Sequence, residues 1–147
     1  MSSYSAQDIA KYFLSLVDET AGDVLTNLKL QKLLYYAQGF HLAVYGRPLF
    51  HETIEAWEYG PVVPAVYHAL KKNGSDPIRK IGDNRLPHLP HNVSGLLDEI
   101  NSVYGQFSAL KLMKMTHVEP PWMNTPRGKI ISHAMMRDYF KTRLRKK

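Results

Sequence analysis

The 147-residue chain contains no cysteine. Disulfides, zinc–thiolate centres, iron–sulfur clusters and cysteine nucleophiles are therefore excluded. It has no long apolar run either, and no window approaches the roughly 20 consecutive apolar residues of a membrane-spanning helix. The opening MSSYSAQDIAKYF lacks a basic flank followed by an apolar stretch, so no secretory signal is expected. A glycine-rich phosphate loop, a G-x-S-x-G elbow and an HExxH pair are also missing. What is present is a 44% hydrophobic composition, enough for a packed core in one compact domain over residues 1–147. A cytoplasmic location is the expectation.

The net charge is +6 and the pI is near 9.5, values that often point to nucleic acid or an acidic surface. The distribution weakens that inference. Residues 137–147 hold six basic residues against one acidic, and the remainder of the chain sums to only +1. KTRLRKK is either a solvated helix end favoured by the helix dipole or a phosphate-binding tail.

Periodicity predicts a mainly α fold, a helical bundle of about six helices with a small β-hairpin. Ser5 and Asp8 form a capping box for a first helix carrying Ile9, Phe13, Leu16 and Val17. A second helix, capped by Thr26 or Asn27 and stopped by Gly46 and Pro48, is apolar over most of its circumference and is expected to be central. Leu30, Leu33, Leu34, Ala37 and Phe40 should be buried. IEAWEY alternates like a strand, with PLFHE before it as a hairpin partner. PVVPAVYHALKKNG enters a third helix through proline and ends at Gly74. Residues 75–92, rich in Pro, Gly, Asn and Asp, read as an exposed loop. Further helices follow around Leu96–Tyr104, from Ser108 and from Ser132.

Two histidine arrangements invite chemistry. His88 and His91 in HLPH lie in a proline-bracketed loop without the further ligands a zinc site needs. THVE resembles the first half of a zinc-deaminase signature, but the cysteines that complete it are absent. His117 and Glu119 could still act as an acid–base pair. Alternatively, Thr116, His117 and Glu119 hydrogen-bond the backbone where Pro120 ends the helix. Trp57, Tyr59 and Trp122, large aromatics beside prolines, suit a core as well as a contact surface.

The segments LKLQKLLYYAQG, AWEYGPV and THVEPPW, in this order and together with IISHAMMRDYF, resemble the Panacea domain family, also described as SocA-like or phage-associated GepA-like. The resemblance extends over nearly the whole chain. It implies a mostly helical domain acting as the antitoxin of a bacterial or prophage toxin–antitoxin pair, with no enzymatic activity and no cofactor. The implied partner is a co-encoded protein toxin neutralised by direct contact, and one branch of the family delivers its toxin to the ClpXP protease. The motif positions it marks are Trp57, Tyr59, Gly60, Pro61 and Val62, then Thr116, His117, Glu119, Pro121 and Trp122, without assigning chemistry to them. The alternative is a nucleic-acid-binding regulator that uses the basic tail. Because both motifs combine a tryptophan with helix-breaking prolines, they are expected to pack together in space.

Overall fold

The computed structural model describes residues 4–144. Arg145–Lys147, half of the basic run of the tail, lie outside it. The described chain is mainly helical: α1 (Ala6–Ser15), α2 (Asn27–Tyr45), α3 (Pro64–Leu70), α4 (His91–Tyr104), α5 (Ala109–His117), α6 (Pro120–Met123) and α7 (His133–Lys141), with short 3-10 turns after α1 and α3. The seventh helix, beyond the expected six, is the single turn α6 that the double proline starts. Among the described residues no helix is long and apolar enough to cross a membrane.

The helix starts follow local chemistry. Ser5 accepts from the Asp8 amide at 3.0 Å while the Asp8 carboxylate takes the Ser5 amide, a complete capping box. Thr26, Ser108 and Ser132 cap α2, α5 and α7 with the side-chain bond alone, each accepting from the amide three residues on. Gly46 closes α2 at φ +74°, a left-handed conformation that costs glycine little.

Helix α2 is the axis of the fold, with 14 of its 19 residues buried. It packs most extensively on α7 and also on α4, α5, α1 and α3. Gly39 makes the α7 approach possible, since a Cβ there would overlap the Phe140 ring. Phe140 then meets the rings of Tyr35, Tyr36 and Phe40. Leu30, Leu33, Leu34 and Ala37 are buried as expected. Phe40 is not; it lies half-covered at the rim, against Phe140 and Tyr104.

The hairpin differs from expectation in its partner. β1 (Glu55–Trp57) pairs antiparallel with β2 (Gly60–Val62) across the two-residue turn Glu58–Tyr59, in the register Glu55 to Val62 and Trp57 to Gly60. PLFHE takes no part in this ladder because Gln38 of α2 occupies its backbone: the Gln38 side chain accepts from the Leu49 amide at 2.7 Å and donates to the Phe50 carbonyl at 2.8 Å. The other edge of β1 is taken by the segment after α6. Ala56 N–H donates to Lys129 O, and Ile131 N–H to Ile54 O.

The loop between α3 and α4 is not simply exposed. Ile78 and Ile81 are buried in the core, and the Ile78 amide donates to Leu25 O at 2.7 Å. His91 opens α4 rather than ending the loop. Both His88 and His91 are exposed, and no metal-competent cluster of His, Asp and Glu exists among the described residues.

Candidate functional site

The two motifs singled out in the sequence meet in space. The Trp122 indole N–H donates to the Trp57 carbonyl at 2.7 Å, across 65 residues of sequence. The hairpin half is held from below by α2. Its Lys32 is fully buried and donates from Nζ to the Pro61 carbonyl at 3.0 Å. Proline has no N–H of its own, so this outward carbonyl is the group on Pro61 that needs a partner. Two residues on, the Val63 amide donates to Gln31 Oε1 at 2.9 Å, and Gln31 in turn donates to Asn27. The outer edge of β2 is thus closed by side chains of a helix rather than by another strand.

Gly60 sits over this point at φ +108°. A Cβ there would lie 2.7 Å from Lys32 Cε and 2.8 Å from Thr116 Oγ1. Both the backbone angle and the space therefore require glycine in the YGP sequence. Among the described residues no acidic side chain reaches Lys32 to form an ion pair, and burial pushes its pKa down to about 7.

The second half is the corner between α5 and α6. Thr116 Oγ1 donates back to Met113 O at 2.8 Å, the helix-end bond expected of it. Glu119 and His117 depart from that expectation. The residue before a proline is pushed to extended geometry, and Glu119 at φ −100°, ψ 136° consequently turns its side chain into the core. There Tyr35 and Tyr36 each donate a hydroxyl to one carboxylate oxygen, both at 2.9 Å. Burial pushes the Glu119 pKa up to about 6, against the two tyrosine bonds, the Arg143 charge and the Tyr139 hydroxyl, all of which favour the ionised form. The same burial and the facing carboxylate raise Tyr35 and Tyr36. His117 does not bond to the backbone through Nε2, which is buried without a partner among the described residues. Its ring instead stacks on Trp122 at 4.1 Å, and the Arg127 guanidinium covers the Trp122 ring at 3.6 Å. Pro121 is buried.

The motif therefore divides into a support and a surface. Glu119, Pro121 and Thr116 anchor the corner inward. On the outside, Tyr59 is 59% exposed and Val118 74% exposed, with Met123 also open to solvent. Beside the hairpin lies a groove of ≈ 600 Å³ with mostly apolar walls. Trp57, Tyr59 and Val62 from the hairpin, Leu28 from α2 and Tyr67 from α3 line it, and Glu58 and Lys71 stand at its rim. Gly60 and Pro61 do not line it.

Sequence reasoning overlooked Lys32, Gln31, Gln38 and the tyrosine pair. A signal for part of this was available: Asn27, Gln31 and Gln38 recur at i, i+4 and i+11 on one face of an otherwise apolar helix. Polar residues buried in that pattern must be bonding to something.

Comparison with known proteins places these segments. Residues 30–123, from the first turn of α2 to the end of α6, match the family model described as Antitoxin SocA-like, Panacea domain. Over 120 residues the chain is 35% identical to Antitoxin SocA of Caulobacter vibrioides (strain NA1000 / CB15N), an alignment covering 73% of this chain. The chain spans 64% of the length of that curated relative. No solved structure matches the chain.

Proposed function

Because the chain belongs to the SocA-like Panacea family, we propose that it is an antitoxin that neutralises a co-encoded protein toxin by direct binding, and that the hairpin groove is the surface it uses. The observation that carries this reading is the groove itself. An apolar cleft with an exposed aromatic at its lip is the form a buried interface anchor requires. Part of its wall, Trp57, Tyr59 and Val62, comes from the family motif AWEYGPV, and that motif is held by Lys32, Gln31 and Trp122. A preorganised surface loses less entropy on association than a mobile one.

The reading is one of binding rather than catalysis. The buried lysine and carboxylate of the site, Lys32 and Glu119, are both directed at internal partners rather than at the groove. Delivery of the bound toxin to ClpXP is a finer possibility within the same reading, and it requires the toxin contact first.

The test is co-expression with the protein encoded by the adjacent gene. Tyr59→Ser and Leu28→Asp should abolish rescue while leaving the melting curve unchanged, since loss of a central anchor costs roughly 2 kcal/mol or more of binding. Full rescue by both variants would remove the groove from the mechanism. A neighbouring protein that is harmless alone and does not bind the chain would remove the antitoxin reading.

A further inference from the structure

One backbone edge of the hairpin sheet has no partner among the described residues. Glu55 and Ile130 face each other in an antiparallel bridge. The bonds that make it, Ala56 N–H to Lys129 O at 3.0 Å and Ile131 N–H to Ile54 O at 2.8 Å, come from the residues on either side. In that pattern the N–H and C=O of Ile130 itself point away from β1. Among the described residues neither group is in a hydrogen bond, and the Ile130 side chain is 57% exposed. An extended segment that presents an open N–H and C=O is a template for another strand.

The segment that carries this edge holds charge of one sign, and the acidic residue facing it across the bridge, Glu55, is bonded to the Trp57 indole. From Pro120 to Arg137 there is no acidic residue; Lys129 adjoins the open position, and Arg127, three residues before Ile130, lies over the Trp122 ring. Both are exposed. A partner strand laid here would place alternate side chains beside these cations.

We infer that the Gly128–Ile131 edge accepts an extended acidic segment of the partner protein, which adds a strand to the sheet by bonding to Ile130. This rests on the toxin-capture reading and deepens it: the groove beside β2 holds an apolar anchor, and the opposite edge of the same small sheet holds backbone. Main-chain bonds at a sheet edge supply affinity that depends little on the sequence of the added strand, and the cations supply the preference for acidic partners.

The experiment uses the full chain with the purified protein encoded by the adjacent gene. Backbone amide exchange is followed with and without that protein, alongside affinities of Ile130→Pro and Lys129→Glu. Proline at 130 removes the outward N–H along with the Ile130 side chain, and no hydrogen bond of the fold among the described residues uses that N–H, so folding should be retained and is checked by circular dichroism. Expected results are slowed exchange of the Ile130 amide in the complex, at least tenfold weaker binding by Ile130→Pro, and weaker binding by Lys129→Glu that is less salt-dependent than wild type. Complex formation with unchanged Ile130 exchange and full affinity of Ile130→Pro would overturn the inference and leave the antitoxin reading standing. Failure of the wild-type chain to form any complex would overturn both.

Discussion

Two buried ionisable groups, Lys32 and Glu119, brace the two halves of the motif, and the protein handles them differently. Lys32 has one neutral acceptor, the Pro61 carbonyl. Its charged form is poorly supported, and its pKa falls to about 7. Glu119 has a hydroxyl donor on each oxygen and a guanidinium nearby. Burial still prevails there, but only to a pKa of about 6. The difference shows what each group is for. Lys32 supplies a hydrogen bond to a strand edge, which a neutral amine can also make. Glu119 gathers tyrosines from one helix onto the first turn of another, which takes an acceptor with two separate oxygens.

The largest effect expected from breaking this contrast is that of Glu119→Ala. It leaves two buried hydroxyls without an acceptor, at roughly 1–3 kcal/mol each. Denaturant unfolding should show a loss of that size, and a Glu119→Gln variant, which keeps one acceptor oxygen, should recover part of it. Next is Gly60→Ala, which strains the backbone at φ +108° and presses on the Lys32 stem. A loss of roughly 2–4 kcal/mol is expected, relieved in part when Lys32 is shortened in the double variant.

The pH dependence separates the two groups by sign. Glu119 rises from 4.5 to about 6 in the folded chain, so the folded state holds the proton more tightly. Its contribution is fully present below pH 4.5 and is lost as pH rises to 6, a loss of roughly 2 kcal/mol. Lys32 falls from 10.5 to about 7, so the folded state holds its proton less tightly. The burden of that buried charge lifts as pH rises from 7 towards 10.5. Melting temperatures of wild type minus Glu119→Gln should therefore fall with pH on the acid side. Wild type minus Lys32→Met should rise on the alkaline side. Two slopes of the same sign would end the contrast. The smallest effect is expected from His117→Ala. Its Nε2 has no partner to lose among the described residues, so the variant forfeits mainly the Trp122 stack, about 1 kcal/mol by melting curve.

Local chemistry made much of the fold legible. Ser5, Thr26, Gly46, Ser108 and Ser132 each mark a helix boundary through bonds spanning three or four residues, and such signals survive in sequence. Alternation in IEAWEY located a strand, and the family motifs located the corner. Long-range pairing was not legible. Nothing near Glu119 announces that its partners are tyrosines 83 and 84 residues away. Gln38 could not be recognised as the acceptor for Leu49 and Phe50, and that omission misassigned the hairpin partner. The Gly128–Ile131 edge meets β1 through a single bridge, too short to leave an alternating pattern. Ile78 and Ile81 were hidden by the polar composition around them, although two isoleucines suffice to pin a loop.

The side chains by which α2 holds its neighbours have a consequence for how the molecule opens. Asn27, Gln31, Lys32 and Gln38 bond to the backbone of Tyr67, Val63, Pro61 and the Leu49–Phe50 pair. Of these, the Leu49 and Val63 amides cannot exchange by fraying alone, because their acceptors belong to the central helix. The amides of Leu49 and Val63 should therefore exchange with the slow rate of α2 itself, as members of one cooperative unit, despite lying outside every helix.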